Sequence, residues 1–195
     1  MSTFMKKKLT EAEYLAIERA AEFKSEFCNG EMVAMPSASR QHNEIKENLI
    51  HEIGIRLKGG PCRTYSADQR VKIDRTGLYT YPDLLIVCGR AEFDPDHRDI
   101  LYNPQVIIEI LSKSTESYDR GLKFLHYRRL TSLREYVLVS QEQKLVERFV
   151  RQTDETWVLT TFDNSDGEFA LSTVPVRVPL ADVYRGVEIL EEPLR

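Results

Sequence analysis

The chain has 195 residues, 42% of them hydrophobic and 30% charged, enough to bury one sizeable core and too evenly mixed for a disordered or fibrous protein. No run approaches the ~20 apolar residues of a membrane span, and Lys6-Lys7-Lys8 has no apolar stretch behind it, so no secretion signal and a cytoplasmic location are expected. A net charge of -4, from 27 basic and 31 acidic residues, excludes a globally basic nucleic-acid binder and confines any polyanion contact to a local patch.

Thr10-Glu11-Ala12-Glu13 has the form of a capping box, with Leu9 and Tyr14 at staple spacing, and predicts a helix from Glu11 to Glu22. Asn29-Gly30 between Ser25–Cys28 and Glu31–Met35 predicts a tight hairpin, because both turn residues tolerate positive φ. Ser37 and Ser39 are candidate caps for a second helix, whose stripe of His42, Ile45, Leu49, Ile53 and Leu57 faces a sheet and ends at Gly59-Gly60. Arg63 to Asp74 reads as extended, before a turn at Arg75-Thr76-Gly77.

Tyr81–Val87 and Val106–Leu111 are continuous β-branched and leucine runs, the pattern of strands covered on both faces. A polar loop over 89–104 separates them, a third helix from Tyr118 to Leu130 follows, and Glu135–Val139 is a further buried strand. Lys144–Val150, Thr156–Phe162 and Glu168–Leu171 predict a terminal antiparallel meander. The order predicts a single α/β domain over 1–195 with a mixed sheet. Cys28, Cys62 and Cys88 form an odd set without a CxxC pair, which favours core packing over a disulfide framework or a zinc ribbon.

Each of the two apolar strands contains a single carboxylate, Asp83 and Glu109. An ionised acid in a buried strand is costly unless a metal, a cation or strong hydrogen bonds compensate it. Alternation puts Asp83 with Leu85 and Val87, and Glu109 with Ile107 and Leu111, so neighbouring strands in register bring both acids to one side, ~5 Å apart. Such a pair suits a hard cation such as Mg²⁺. The structural alternative is that one or both acids sit at a strand end, paired with arginine or capping a loop. His42 lies on the apolar stripe of its helix, either as a core histidine or at the border of a site; Glu31 is either an exposed turn acid or a carboxylate near the metal, and Glu44 and Glu47 face solvent. Lys6-Lys7-Lys8, Arg70 with Lys72 and Arg75, and Arg128-Arg129 are the small basic clusters available to a DNA backbone.

Pro82-Asp83 followed by Glu109 resembles the proline-aspartate, acid-x-lysine signature of the PD-(D/E)xK nuclease superfamily. Residues 106–116, Asp119–Lys123, Tyr127 and Glu135–Val139, with Asn29-Gly30-Glu31, Met35 and His42 upstream, are similar to the bacterial putative restriction endonuclease family of Uma type within it, over about Thr10 to Val187. The resemblance implies a restriction-endonuclease-like α/β core, a mixed β-sheet flanked by helices. It implies a Mg²⁺-dependent DNA endonuclease, with Mn²⁺ as a substitute, whose Asp83, Glu109 and Ile110 carbonyl hold the metal, and a possible homodimer for cutting two strands. The superfamily lysine falls two residues after the strand acid, where this chain has Leu111. Lys123 on the next helix, at the edge of a Leu122, Leu125 and Leu130 face, is the leading replacement and Lys113 the second. The competing reading is a catalytically degenerate nuclease fold that binds nucleic acid or a partner without cutting.

Overall fold

The computed structural model describes residues 8–163 and 167–189. Helix α1 (Glu11–Ala20) opens on the expected capping box: Thr10 N–H donates to Glu13 Oε2 at 2.8 Å, and Glu13 N–H donates to Thr10 Oγ1 at 3.2 Å. It stops at Ala20, short of Glu22, because the chain turns there to begin the hairpin. The buried Glu18 carboxylate accepts the backbone N–H of Ser25 and, at 2.8 Å, the hydroxyl of Tyr81. Strands β1 (Ser25–Cys28) and β2 (Glu31–Ala34) form the hairpin, with Asn29 and Gly30 at φ 51° and 87°. Lys6 and Lys7 lie outside the described residues.

Helix α2 (Arg40–Leu57) is capped by Ser39, whose Oγ accepts the His42 N–H at 3.0 Å. Next come β3 (Cys62–Ser66), β4 (Arg70–Ile73), β5 (Leu78–Thr80), β6 (Leu84–Cys88), β7 (Ile100–Leu101) and β8 (Val106–Leu111). The helical segment 116–127, here α3, is followed by β9 (Glu135–Ser140), β10 (Val146–Arg151), β11 (Trp157–Phe162), β12 (Glu168–Ala170), β13 (Arg177–Pro179) and the short α4 (Leu180–Val183).

The central sheet has six strands in the order β11-β10-β9-β8-β6-β3, with β8 and β9 parallel and the other pairs antiparallel. A second sheet has the order β2-β1-β5-β4-β7. The stretch expected to be one extended segment, Arg63 to Asp74, therefore divides between sheets: β3 edges the first and β4 enters the second. The terminal meander is likewise shorter than expected, since β12 leaves β11 and pairs with β13. Phe169 on β12 is drawn into the core on the α2 side, whereas β11 is largely solvent-facing.

The central sheet is covered on both faces, as its apolar runs require. Ile45, Leu49, Ile53 and Leu57 of α2 pack on Leu84, Ile86, Ile108 and Ile110, together with Phe169, Val178 and Leu180. The opposite face carries Leu85, Val87, Ile107, Leu111 and Leu138, covered by Tyr127 of α3 and by Val71, Ile73 and Leu78 of the second sheet. Tyr14 and Leu15 of α1 pack on Phe27, Tyr79 and Ile100 in a third cluster.

Two local expectations are corrected. Cys62 and Cys88 face each other across β3 and β6 and form a disulfide, leaving Cys28 as the free thiol; an odd count does not exclude a bridge when strand register puts two cysteines opposite. In α3, Leu122 and Leu125 are exposed at 56% and 48%, and the buried residues are Asp119, Lys123 and Tyr127. Residues 119–123 form a π turn, and residues four apart share one face of the helical segment. The polar line, rather than the leucine line, faces the sheet.

Truncating Leu49, fully buried on α2, to Ala is expected to cost about 2–5 kcal/mol in urea melts. The same change at Ile55, on the wet side of that helix, is expected to fall within about 0.5 kcal/mol of wild type.

Candidate active site

The register Leu84↔Ile108 sets Asp83 opposite Glu109. β6 begins at Leu84, so Asp83 sits just before the strand, while Glu109 is inside β8. The strand-end reading thus holds for Asp83 and not for Glu109. Where the ladder stops, side chains take over its groups: Ile110 N–H donates to Asp83 Oδ2 at 2.9 Å, and Asp83 N–H donates to Glu109 Oε2 at 3.3 Å. His42 Nε2 reaches the same Asp83 Oδ2 at 3.0 Å from the first turn of α2, and its Nδ1 is buried with no hydrogen-bond partner among the described residues.

These residues open onto a cleft of about 650 Å³, bordered by Glu26 of β1, His42 of α2, Asp83, Glu109, Ile110 and Lys123 of α3. The Ile110 side chain packs in the α2-side core, so its backbone is what borders the cleft. Lys123 Nζ lies 2.9 Å from Glu109 Oε1 and 3.3 Å from both Glu26 Oε1 and Asp119 Oδ1. Tyr127 donates to Glu109 Oε1 at 2.7 Å, Tyr118 donates to Glu26 Oε2 at 2.8 Å, and Thr80 donates to Glu26 Oε1. The side chains of Lys123, Glu109 and Asp119 are 6%, 4% and 5% exposed.

Burial at this level fixes the proton chemistry. Desolvation, opposed by Lys123 and reinforced by Asp119 and Asp83, pushes Glu109 up to about 8. Desolvation also raises Asp119, against the pull of Lys123. For Lys123, burial favours the neutral amine, but Glu109 and then Tyr127, Glu26 and Asp119 outweigh it and hold the group well above the ordinary lysine range. Lys123 is therefore an ammonium throughout the neutral range and is unsuited to act as a base.

Of the residues singled out from the sequence, the fold brings Asp83, Glu109, Lys123, His42 and the Ile110 backbone together. It does not bring Lys113 or Glu31. Lys113 follows the end of β8, is 68% exposed and pairs with Glu142 at 3.3 Å, outside the cleft. Glu31 is exposed on β2, opposite Cys28, and does not border the cleft. Leu111, at the superfamily lysine position, is buried in the apolar cluster under α3. Glu26, Asp119, Tyr118 and Tyr127 escape the sequence reading. Asp119, Lys123 and Tyr127 carry a signal, a four-residue polar spacing on one helix; Glu26 becomes visible only when β1 is placed beside β5.

The fit to a divalent cation can be judged from charge. Glu22, Glu26, Asp83, Glu109 and Asp119 line the cleft against the ammonium groups of Lys24, Lys46 and Lys123, and Glu109 is raised by desolvation first and then by Asp119 and Asp83. A cation would offset that repulsion. Among the described residues no three His, Cys, Asp or Glu side chains are arranged as a ready ligand set. The donors available are two hard carboxylates and the backbone at Ile110, a set suited to an ion that keeps several waters.

A mixed sheet between helices, with an acid at a strand start and another across the ladder, defines a restriction-endonuclease-like α/β protein. A crystal structure of a putative nuclease of the DUF820 group from Anabaena variabilis has the same fold, with a TM-score of 0.74, 19% identity, and coverage of 90% of this chain and 97% of that one. Two Synechocystis sp. proteins, sll1609 and slr1290, are 32% and 31% identical to this chain over 168 and 180 residues, which cover 86% and 92% of it and 95% and 93% of theirs. Residues 11–181 match the Uma2 putative restriction endonuclease family, and the chain belongs to that family.

Lys123→Met leaves buried acids without their ammonium and is expected to destabilise the fold by about 3–5 kcal/mol near pH 7. Glu109 is raised from 4.5 to about 8 on folding, so its contribution falls as pH rises through that window; removing Lys123 raises it further. Because Glu109 in the wild type titrates only near pH 8, urea melts should show a deficit that changes little between pH 5 and pH 7 and grows above pH 8, and a deficit that shrinks above pH 8 would contradict this electrostatic account.

Proposed function

We propose that the protein is a divalent-metal-dependent DNA endonuclease, with Mg²⁺ as its ion and Mn²⁺ as a substitute. The observation that carries this reading is the pairing of Asp83 with Glu109 across the end of a buried ladder, with the Lys123 ammonium 2.9 Å from Glu109. Family membership supports the nuclease class, and the excess of carboxylates over cations supports the ion. Asp83, Glu109 and the carbonyl of Ile110 would hold it. When bound, such an ion polarises a phosphodiester oxygen and makes a water acidic enough to attack phosphorus in line.

The chain's own groups have distinct parts in this scheme. His42 and the Ile110 N–H both bond Asp83 Oδ2, orienting the carboxylate and leaving Oδ1 for the cleft. Tyr127 and Lys123 both engage Glu109 Oε1, which turns Oε2 toward Asp83. The Lys123 ammonium stabilises negative charge as it develops on the phosphoryl oxygens, the part that Leu111 cannot play. Two such sites in a homodimer would cut both strands.

A second reading is favoured by one observation: Leu111 is buried and apolar, and Lys123 is already paired with acids. A fold that binds the ion and nucleic acid without cutting would have this appearance. Melting in EDTA, Mg²⁺ and Mn²⁺, run beside plasmid nicking, separates the two. Wild type is expected to be stabilised by metal and to nick, with both effects lost in Asp83→Ala. Metal stabilisation without nicking would establish the binder, and no metal effect would count against the site.

The choice of lysine is tested the same way. Lys123→Ala is expected to lower nicking by about 10²–10³-fold, the loss typical of one charge-stabilising donor. Lys113→Ala should remain within about threefold of wild type, as expected for an exposed residue outside the cleft. A reversed order would place the catalytic ammonium on Lys113.

A further inference from the structure

Basic groups that are scattered in the sequence meet at the other end of the central sheet. A hollow of about 410 Å³ is lined by Lys72 of β4 and Arg75 of the β4–β5 turn, by Asn103 and Gln105 before β8, and by Arg129 and Ser132 after α3. Arg151 lies behind the hollow, against the backbone of Leu130 that lines it. That buried guanidinium donates to the carbonyls of Leu130, at 3.0 Å, and Arg128, and stacks 5.0 Å from the Trp157 ring. Arg128 lies 5.5 Å over Phe124.

The charge here is poorly compensated. Lys72 pairs with Glu11 and Asp74, and Arg151 with Glu155 at 3.6 Å. Arg75, Arg128, Arg129 and Arg134 are exposed and have no ion pair among the described residues. Acids are present in the hollow, but Asp74 is taken by Lys72, and Glu92 is the remaining one. Burial lowers the pKa of Arg151; Glu155 opposes this, and Arg134, Arg128 and Arg75 add to it, so these guanidiniums feel one another's charge. In a chain of net charge -4, exposed arginines held this close imply an external anion.

Gln105 at the hollow and Ile110 at the cleft lie five residues apart along one strand, about 17 Å. Both sites are on the α3 side of the sheet. That separation is about half a helical turn of B-form DNA, so a duplex with one phosphate in the cleft has another within reach of the hollow. We infer that this arginine-rich hollow is a second contact for the phosphate backbone of a nucleic acid, separate from the cleft and without chemistry of its own. The inference takes only the identity of the polymer from the endonuclease reading.

The test is fluorescence anisotropy with a labelled duplex of about two helical turns, in EDTA, so that binding is read without cleavage. Arg75→Glu and Arg129→Glu are each expected to weaken binding about tenfold and to lower the slope of log K against log salt by about one unit. Their melting temperatures should match wild type, because both side chains are exposed. Arg177→Glu, an exposed charge reversal away from the hollow, should do much less. Unchanged affinity in the first two variants, or an equal loss in Arg177→Glu, would overturn the proposal. So would competition by inorganic phosphate as strong as by unlabelled duplex at equal phosphate concentration. Wild type that binds through these arginines but never nicks would leave the hollow supported while the endonuclease reading falls.

Discussion

The interaction on which the rest of the site depends is the buried contact between Lys123 and Glu109. Placing an ammonium and a carboxylate at about one-twentieth exposure costs several kcal/mol per ion, and the cost is offset only where geometry and further hydrogen bonds are good. Here the partners come from three layers: Glu109 from the central sheet, Asp119 and Tyr127 from α3, and Glu26 from the second sheet, itself held by Thr80 and Tyr118. One ammonium thereby ties the second sheet and the helix to the strand that carries the candidate catalytic acid. An apolar residue in its place would pack, but it would leave those acids uncompensated.

Helical spacing explains how a lysine reaches that position. Residues four apart share one face of a helix, so the polar line and the leucine line of α3 compete for the sheet. Asp119, Lys123 and Tyr127 take the inner line, where the ammonium meets Glu109 and Glu26, and Leu122 and Leu125 are left outside. A lysine two residues after Glu109 would lie on the strand itself. Supplying the ammonium from the helix frees position 111 for a leucine that packs under Tyr127 and Tyr136.

A carboxylate buried in a strand does not by itself mark a site. Glu135 opens β9 with no exposed surface, yet its oxygens accept the backbone N–H groups of Ser172 and Thr173 at 2.6 and 2.9 Å. Its charge is satisfied locally, on the side of the sheet away from the cleft. Asp83 and Glu109 differ because they stand opposite each other at the end of a ladder and share one opening with Glu26 and Asp119. The distinction lies in convergence, which is a property of the fold.

The local chemistry of the chain was sufficient for much of this architecture. The capping box at Thr10, the Asn29-Gly30 turn, the α2 stripe and the two apolar strands with their acids all follow from interactions within a few residues or from a strict period of side-chain direction. Asp83 and Glu109 could be identified because an acid in an apolar run is conspicuous, and Lys123 because Leu111 left an ammonium to be found elsewhere. Strand pairing, by contrast, depends on which distant segments meet. It alone decided that Cys62 lies opposite Cys88, that Arg63–Asp74 divides between two sheets, and that Glu26 rather than Glu31 faces the cleft. The basic hollow is of the same kind: Arg75 and Arg129, 54 positions apart, line it together only after long-range packing has set their segments side by side.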